Sequence, residues 1–369
     1  MALCAAVAAR AAEPQAAAPP GAESAILADG WTRLSKGDAA GAALVASQAL
    51  TLDPLSVAAA ALAVEADLAR GGTIGGLNSY EKWLGSRRLE DGYVLRRVAR
   101  ALLVEATAKQ PNFTARLEAL RALAADGDRD AAATLEQGAN SGRFAETRAL
   151  AALGNERAVA RLIAELASAP MKTPIIDALA ESGSKLAVRP LTELLADPSD
   201  VNRAAAADAL GRLGAVETIP KLRPLLNDQS FTVKLKAAGA LFRLNDSSGL
   251  PILTELSQSE HAAIRMAVAR EMASQPDSSW QHTVRRLASD PDPVVRLDAA
   301  RLIAPFDQPL AQRVLDELMR DDNIAVREAA SGVLVERVAA DFATLRALLR
   351  SGDGVVRVKA AARILELTR

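Results

Sequence analysis

One cysteine, Cys4, stands among 369 residues, so no disulfide can form within the chain. With only two histidines besides, His261 and His282, a structural zinc site, which takes four Cys or His ligands, cannot be assembled. Aromatics make up 3% of the chain. Strands favour aromatic and β-branched residues, and single-stranded nucleic acids are held largely by aromatic stacking, so both features are disfavoured. An excess of base is missing too: 44 Lys and Arg face 45 Asp and Glu, for a net charge of −1. That excludes the globally basic footprint of a nucleic-acid binder, though not a local basic face. No apolar run reaches the ~18 residues needed to cross a bilayer. What remains is a chain that is 50% hydrophobic, with Ala and Leu carrying most of that content. These are the strongest helix formers, which predicts helices throughout. The length exceeds that of one ordinary compact domain.

Residues 1–22 stand apart. Leu3 to Ala9 is a short apolar run, Ala9-Arg10-Ala11 offers a small-x-small cleavage site before Ala12, and a Pro/Ala-rich tether runs from Glu13 to Gly21. This has the form of an export-signal remnant. If it is one, the protein is exported or periplasmic; otherwise it is cytoplasmic. No Lys or Arg precedes the apolar run, and a disordered Ala-rich terminus is the competing reading.

Residues 23–90 read as helix pairs. Trp31 and Leu34, then Gly37-Asp38, then Gly41, Ala42, Ala46, Ala49 and Asp53-Pro54 describe two helices closely packed through small residues, the second stopped by Pro54. This segment resembles a tetratricopeptide repeat. A poorer pair follows, from Leu55 to Arg70 and from Asn78 to Leu89, with Gly71 to Gly76 between them as a flexible connector. The connector is phosphate-loop-like in glycine content alone, since Leu77-Asn78 stands where Lys-Ser/Thr would be needed.

A fixed period governs the rest. Arg203, Lys234, Arg265, Arg296, Arg327 and Arg357 are spaced by 31, 31, 31, 31 and 30 residues. With each base as position zero, Leu191, Leu222, Leu253, Val284, Leu315 and Leu345 stand at −12, and Leu194, Leu225, Leu256, Leu287, Leu318 and Leu348 at −9. Ala206, Ala237, Val268, Ala299, Ala330 and Ala360 stand at +3, and Leu210, Leu241, Met272, Ile303, Leu334 and Ile364 at +7. Two apolar stripes at helical spacing, parted by a polar break, make a helix A, a turn and a helix B. A single such hairpin cannot bury both faces, so the units stack into an all-α solenoid.

Position −6 holds Asp197, Asp228, Ser259, Asp290, Asp321 and Ser351, all capable N-caps for helix B, with Pro198 and Pro291 following as expected first helical residues. The base at zero falls on the covered stripe and needs a partner. The carboxylates at −6 supply one, which predicts a ladder of Asp197, Arg203, Asp228, Lys234, Arg265, Asp290, Arg296, Asp321, Arg327 and Arg357. The run Asp290-Pro291-Asp292-Pro293-Val294-Val295-Arg296-Leu297-Asp298-Ala299-Ala300 resembles the HEAT-repeat family, in which the matching Asp and Arg form such a ladder. The period of about 31 is shorter than is usual for HEAT repeats and resembles that of the bilin lyases. The regular array covers residues 185–369. Residues 91–184 continue it in degenerate form, with Lys172, Arg143, Arg116 and Arg96 at position zero.

Little in the sequence carries chemistry, and no catalytic, cofactor or metal residue is assigned. Asp126-Gly127-Asp128-Arg129-Asp130 opens like a calcium loop but has Ala131 and Gln137 where Gly and Glu are required, and so reads as a polar turn. His261 and His282 read as surface histidines. Arg212, Lys221, Arg223, Lys236, Arg243, Arg285 and Arg286 are interspersed with acids and read as a solvated face. The expected function is a non-enzymatic scaffold holding a protein partner on the concave face of the solenoid. A nucleic-acid-binding solenoid and a bilin-lyase-like enzyme are the alternatives.

Overall fold

The computed structural model describes residues 22–85, 89–272, 281–337 and 341–369. Residues 1–21 lie outside the described residues, and with them the export-signal reading and the tether. Among the described residues, all regular structure is helical. They fall into two compact units, one holding the described residues up to Ala132 together with those from 341 onward, the other Ala133–Arg337. The array read as continuous over 185–369 therefore parts at 337.

In the first unit, helices Ala22–Ser35 and Ala39–Leu52 form the hairpin expected from the Trp31 to Pro54 pattern. Asp38 caps the second helix, accepting from the Gly41 amide at 2.8 Å. The small residues are needed: a Cβ on Gly30 would come within 2.3 Å of Leu62 Cδ2. The Gly71 to Gly76 stretch is not a loop. Helical structure runs from Val57 to Leu84 and breaks only at Gly72, whose φ of 63° is open to glycine and strained for other residues. The reversal is sharp enough that a Cβ on Gly76 would lie 2.4 Å from Leu68 Cδ2. A connector of six residues is thus reduced to one kink. Helices Gly92–Lys109 and Phe113–Ala125 follow. Arg97 lies between the rings of Trp31 and Tyr93, 5.5 and 5.0 Å from their centroids. It pairs with Glu65 at 2.8 Å. Burial raises the Glu65 carboxyl above its ordinary pKa, against the pull of Arg97.

The unit is completed out of chain order. Helix Gly354–Leu367 packs on Gly92–Lys109 and Phe113–Ala125, and Phe342–Leu348 packs on Gly354–Leu367.

The second unit is the stack itself. Its B helices include Thr173–Glu181, Asp200–Arg212, Phe231–Arg243, Ala262–Met272, Pro293–Ile303 and Ile324–Arg337. The A helices at 185–196 and 216–227 are short α segments flanked by 3-10 turns, where Pro190, Pro220 and Pro224 remove backbone donors. The stripes set the core. Every residue at −12, from Leu191 to Leu345, is 0% exposed, and those at +3 are at most 1% exposed. Each fully covered Leu contributes about 1.5–3 kcal/mol. Ala at +3 lets neighbouring helices approach.

The turn between A and B differs from the expected one. Helix B begins at −3, at Asp200, Phe231, Ala262, Pro293, Ile324 and Gly354. The N-cap is therefore −4 rather than −6: Asp292 accepts from Val294 N at 2.8 Å and Asn323 from Ala325 N at 2.9 Å. Asp197, Asp228, Asp290 and Asp321 instead accept from the amide two residues on, at 2.9, 2.8, 3.0 and 2.9 Å, each bending the chain into the cap. Such Asx turns suit Asp as well as a cap does, which is why composition alone misplaces the boundary. Pro198 and Pro291 belong to this turn, and Pro293 takes the first helical position. At the other end, helix B closes through a residue at +11 with positive φ, Gly214 at 65° and Asn245 at 62°. The next amide then reaches back to +7, as Asp246 N does to Leu241 O at 2.8 Å.

Candidate interaction surface

Two sets of charged side chains repeat along the second unit. The first lies at the A–B turns. Arg203, Arg265, Arg296 and Arg327 each donate from Nη1 to the carbonyls at −6 and −5 of their own repeat, over 2.7–3.1 Å. Arg116 and Arg357 make the same contact to Gln110 O and Ser351 O in the first unit. The base thus satisfies carbonyls left open where helix A ends, a favourable place for a cation. Two bases also reach the following repeat. Lys172 Nζ meets Asp197 at 2.7 Å, and Arg203 grips Asp228 with Nε and Nη2 at 2.9 and 3.0 Å. For Arg265, Arg296, Arg327 and Arg357 the described bonds stay within the repeat, so Asp290 and Asp321 serve the turn amides. For Lys234 the corresponding position of the next repeat holds Ser259, an uncharged residue, and Lys234 acts electrostatically on Asp228. The Lys172 hydrogen bond holds the Asp197 carboxyl down at about 2.

The second set runs along the B helices at +2, +5 and +9, with Glu271 joining at +6. Arg148, Asp177, Asp208 and Arg270, all at +5, each meet a charge of the next repeat. Arg148 pairs with Glu181 at 2.7 Å, Asp177 with Arg212 at 3.6 Å, and Asp208 with Lys236 at 3.4 Å and Arg243 at 2.8 Å. Lys236 also meets Glu271 at 2.8 Å, and Arg243 pairs with the same carboxylate. Arg270 pairs with Asp298. Glu271 is 3% exposed, and Gly239 supplies the room, since a Cβ there would lie 2.1 Å from Glu271 Oε2. Burial works to raise the Asp208 pKa, yet Lys236 and Arg243 outweigh it and hold the carboxyl below its ordinary value. Burial raises Asp177, opposed by Arg212 and abetted by Asp208 and Glu181.

This alters the reading of Arg212, Lys236 and Arg243. Lys236 and Arg243 are not solvated cations but members of a partly covered network. Their spacing of +2 and +9 with Asp208 at +5 was present in the sequence and becomes legible only once neighbouring B helices are stacked. Arg223 pairs with Asp246 at 2.6 Å, and Arg285 with Asp307 at 3.2 Å beneath the Phe306 ring. His261, at the −4 cap position, and His282 are exposed. Asp126, Gly127 and Asp128 form a turn between helices: Asp128 accepts from the Asp130 and Ala131 amides at 3.1 and 3.0 Å, and Arg100 pairs with Asp128 at 2.8 Å. No group of three or more metal-ligating side chains occurs among the described residues, and none of their helices is long and apolar enough to cross a membrane.

No curated protein matches the sequence. Similar solved structures include the complex of CpcE and CpcF of phycocyanin lyase from Nostoc sp. PCC7120, 21% identical, covering 56% of this chain and 93% of that one with a TM-score of 0.37. Human deoxyhypusine hydroxylase in complex with glycerol is 18% identical, covering 68% of this chain and 97% of that one with a TM-score of 0.36. Residues 159–241 and 250–334 match the family model of HEAT repeats. Over those two stretches, which hold most of the stacked hairpins, the chain is built of HEAT repeats.

Proposed function

We propose that this chain is a non-enzymatic scaffold that holds a protein partner along the +2, +5 and +9 strip of its B helices. One observation carries the reading: the charges of the strip are already paired with one another from repeat to repeat. Side chains fixed before binding lose little further freedom when a partner arrives, which lowers the cost of association. Acids and bases alternate along the strip, which suits a protein surface of mixed charge. A phosphate backbone would need the bases free, and here they are engaged by carboxylates.

The test is capture by immobilised residues 22–369, compared with a strip variant, Arg212→Glu with Arg270→Glu, and an outer control, Arg189→Glu. Proteins retained by the native chain and the control but lost by the strip variant support the reading. Equal capture by all three places binding elsewhere. Retention of nucleic acid alone, abolished by nuclease, promotes the nucleic-acid alternative.

A further inference from the structure

The contacts that hold the C-terminal hairpin join residues hundreds of positions apart. Arg346 meets Glu81 at 3.0 Å and Glu90 at 2.9 Å. Arg350 donates from Nε to Glu81 at 3.1 Å and from Nη2 to Asn78 at 2.6 Å. In the opposite direction, Arg96 donates to the Leu365 carbonyl at 3.0 Å and to Thr368 Oγ1 at 2.9 Å, closing the end of the last helix. Shape adds to charge. A Cβ on Gly92 would come within 2.9 Å of the Phe342 ring and 3.0 Å of Thr368, and one on Gly354 within 2.2 Å of the Gln110 amide. Two arginines on the hairpin therefore address two glutamates on the receiving surface, and one arginine there addresses the hairpin.

The hairpin is also a complete element. Asp341 and Asp353 cap its two helices, accepting from Ala343 N at 3.2 Å and Val355 N at 2.8 Å. Leu345, Ala360, Ala361 and Ile364 are fully buried. Nothing in the recognition depends on covalent neighbourhood. A hairpin of identical sequence from another molecule satisfies every one of these contacts, and intramolecular docking carries the closure entropy of the long intervening chain.

We propose that the face formed by Asn78, Glu81, Glu90, Gly92 and Arg96 is a binding site for residues 341–369 of a second copy of this chain, so that two copies exchange hairpins reciprocally. The occupant is fixed by the two-to-two charge match. Neither charge set is spare, so an unrelated segment would have to reproduce both arginines at four-residue spacing.

Two charge-reversed chains test this. One carries Glu81→Arg with Glu90→Arg, the other Arg346→Glu with Arg350→Glu. In each alone the hairpin is repelled by its own receiving face, but mixed, both crosswise pairings are complementary. Light scattering should show a doubling of mass in the equimolar mixture, and the same mass as the native chain for the chain bearing all four substitutions, where face and hairpin match again. A mixture that stays monomeric while the fourfold variant recovers native thermal stability overturns the exchange and leaves the intramolecular contact standing. If either reversed chain fails to fold by circular dichroism, two pools of native protein labelled at Cys4, the only thiol, decide the question. Energy transfer appearing after they are mixed in high salt and returned to low salt supports exchange, and its absence overturns it.

Discussion

Glu271 shows how far one residue depends on its surroundings. It is 3% exposed, and its carboxylate stands between Lys236 and Arg243. Without it, both cations fall back on Asp208, in a partly covered place. Glu271→Ala should destabilise the second unit by about 1–3 kcal/mol, the usual effect of leaving a hydrogen-bonded group without its partner. Urea unfolding checks this, and a loss near zero would mean the network is solvated after all. The titration of two other carboxylates is also readable. Asp197 is held at about 2 by Lys172, and Asp246 at about 2 by Arg223 and Ser248. A carboxyl lowered in the folded state contributes stability that is complete above its free value of about 4 and lost as pH falls through its folded value. Melting temperature should therefore drop between pH 4 and about 2, and Asp197→Asn should flatten that limb.

Among the elements, the hairpins were legible and their boundaries were not. Leu at −12 and Ala at +3 recur with so little variation that the covered stripes could be placed residue by residue, because close packing tolerates few substitutes. The turn was misplaced by two residues because Asp serves equally as cap and as Asx-turn acceptor, and Asp290 and Asp292 both satisfy the composition. The structure separates them: Asp292 holds the first free amide of helix B, and Asp290 holds Asp292. Asp292→Ala should cost about 1 kcal/mol and expose the amides at 294 and 295 to hydrogen exchange. Unchanged protection there would return the cap to Asp290. The charged strip stayed hidden for another reason: its partners lie a repeat apart, as Asp208 and Lys236 do, and along the chain its acids and bases look like an ordinary solvated mixture. The kink at Gly72 was beyond reach because a glycine cluster signals freedom and does not say which glycine uses it.

At the level of the whole molecule, the order of packing departs from the order of the chain. A solenoid read from its sequence places each repeat on the preceding one, and periodicity cannot report that the last has gone elsewhere. Ending the chain after Arg337 should therefore not act as the loss of a terminal repeat. Hydrogen exchange should rise over 92–125, where the hairpin docks, while 200–243 stays protected. The reverse pattern would show that the hairpin belongs to the array. Such a fold also has a timetable. The intervening second unit, Ala133–Arg337, holds about 205 residues. At a synthesis rate of about 5–20 residues per second, these occupy the ribosome for roughly 10–40 s. Throughout that interval the earlier segment of the unit waits with an apolar face uncovered, and a segment translated much later decides when the earlier one is finished.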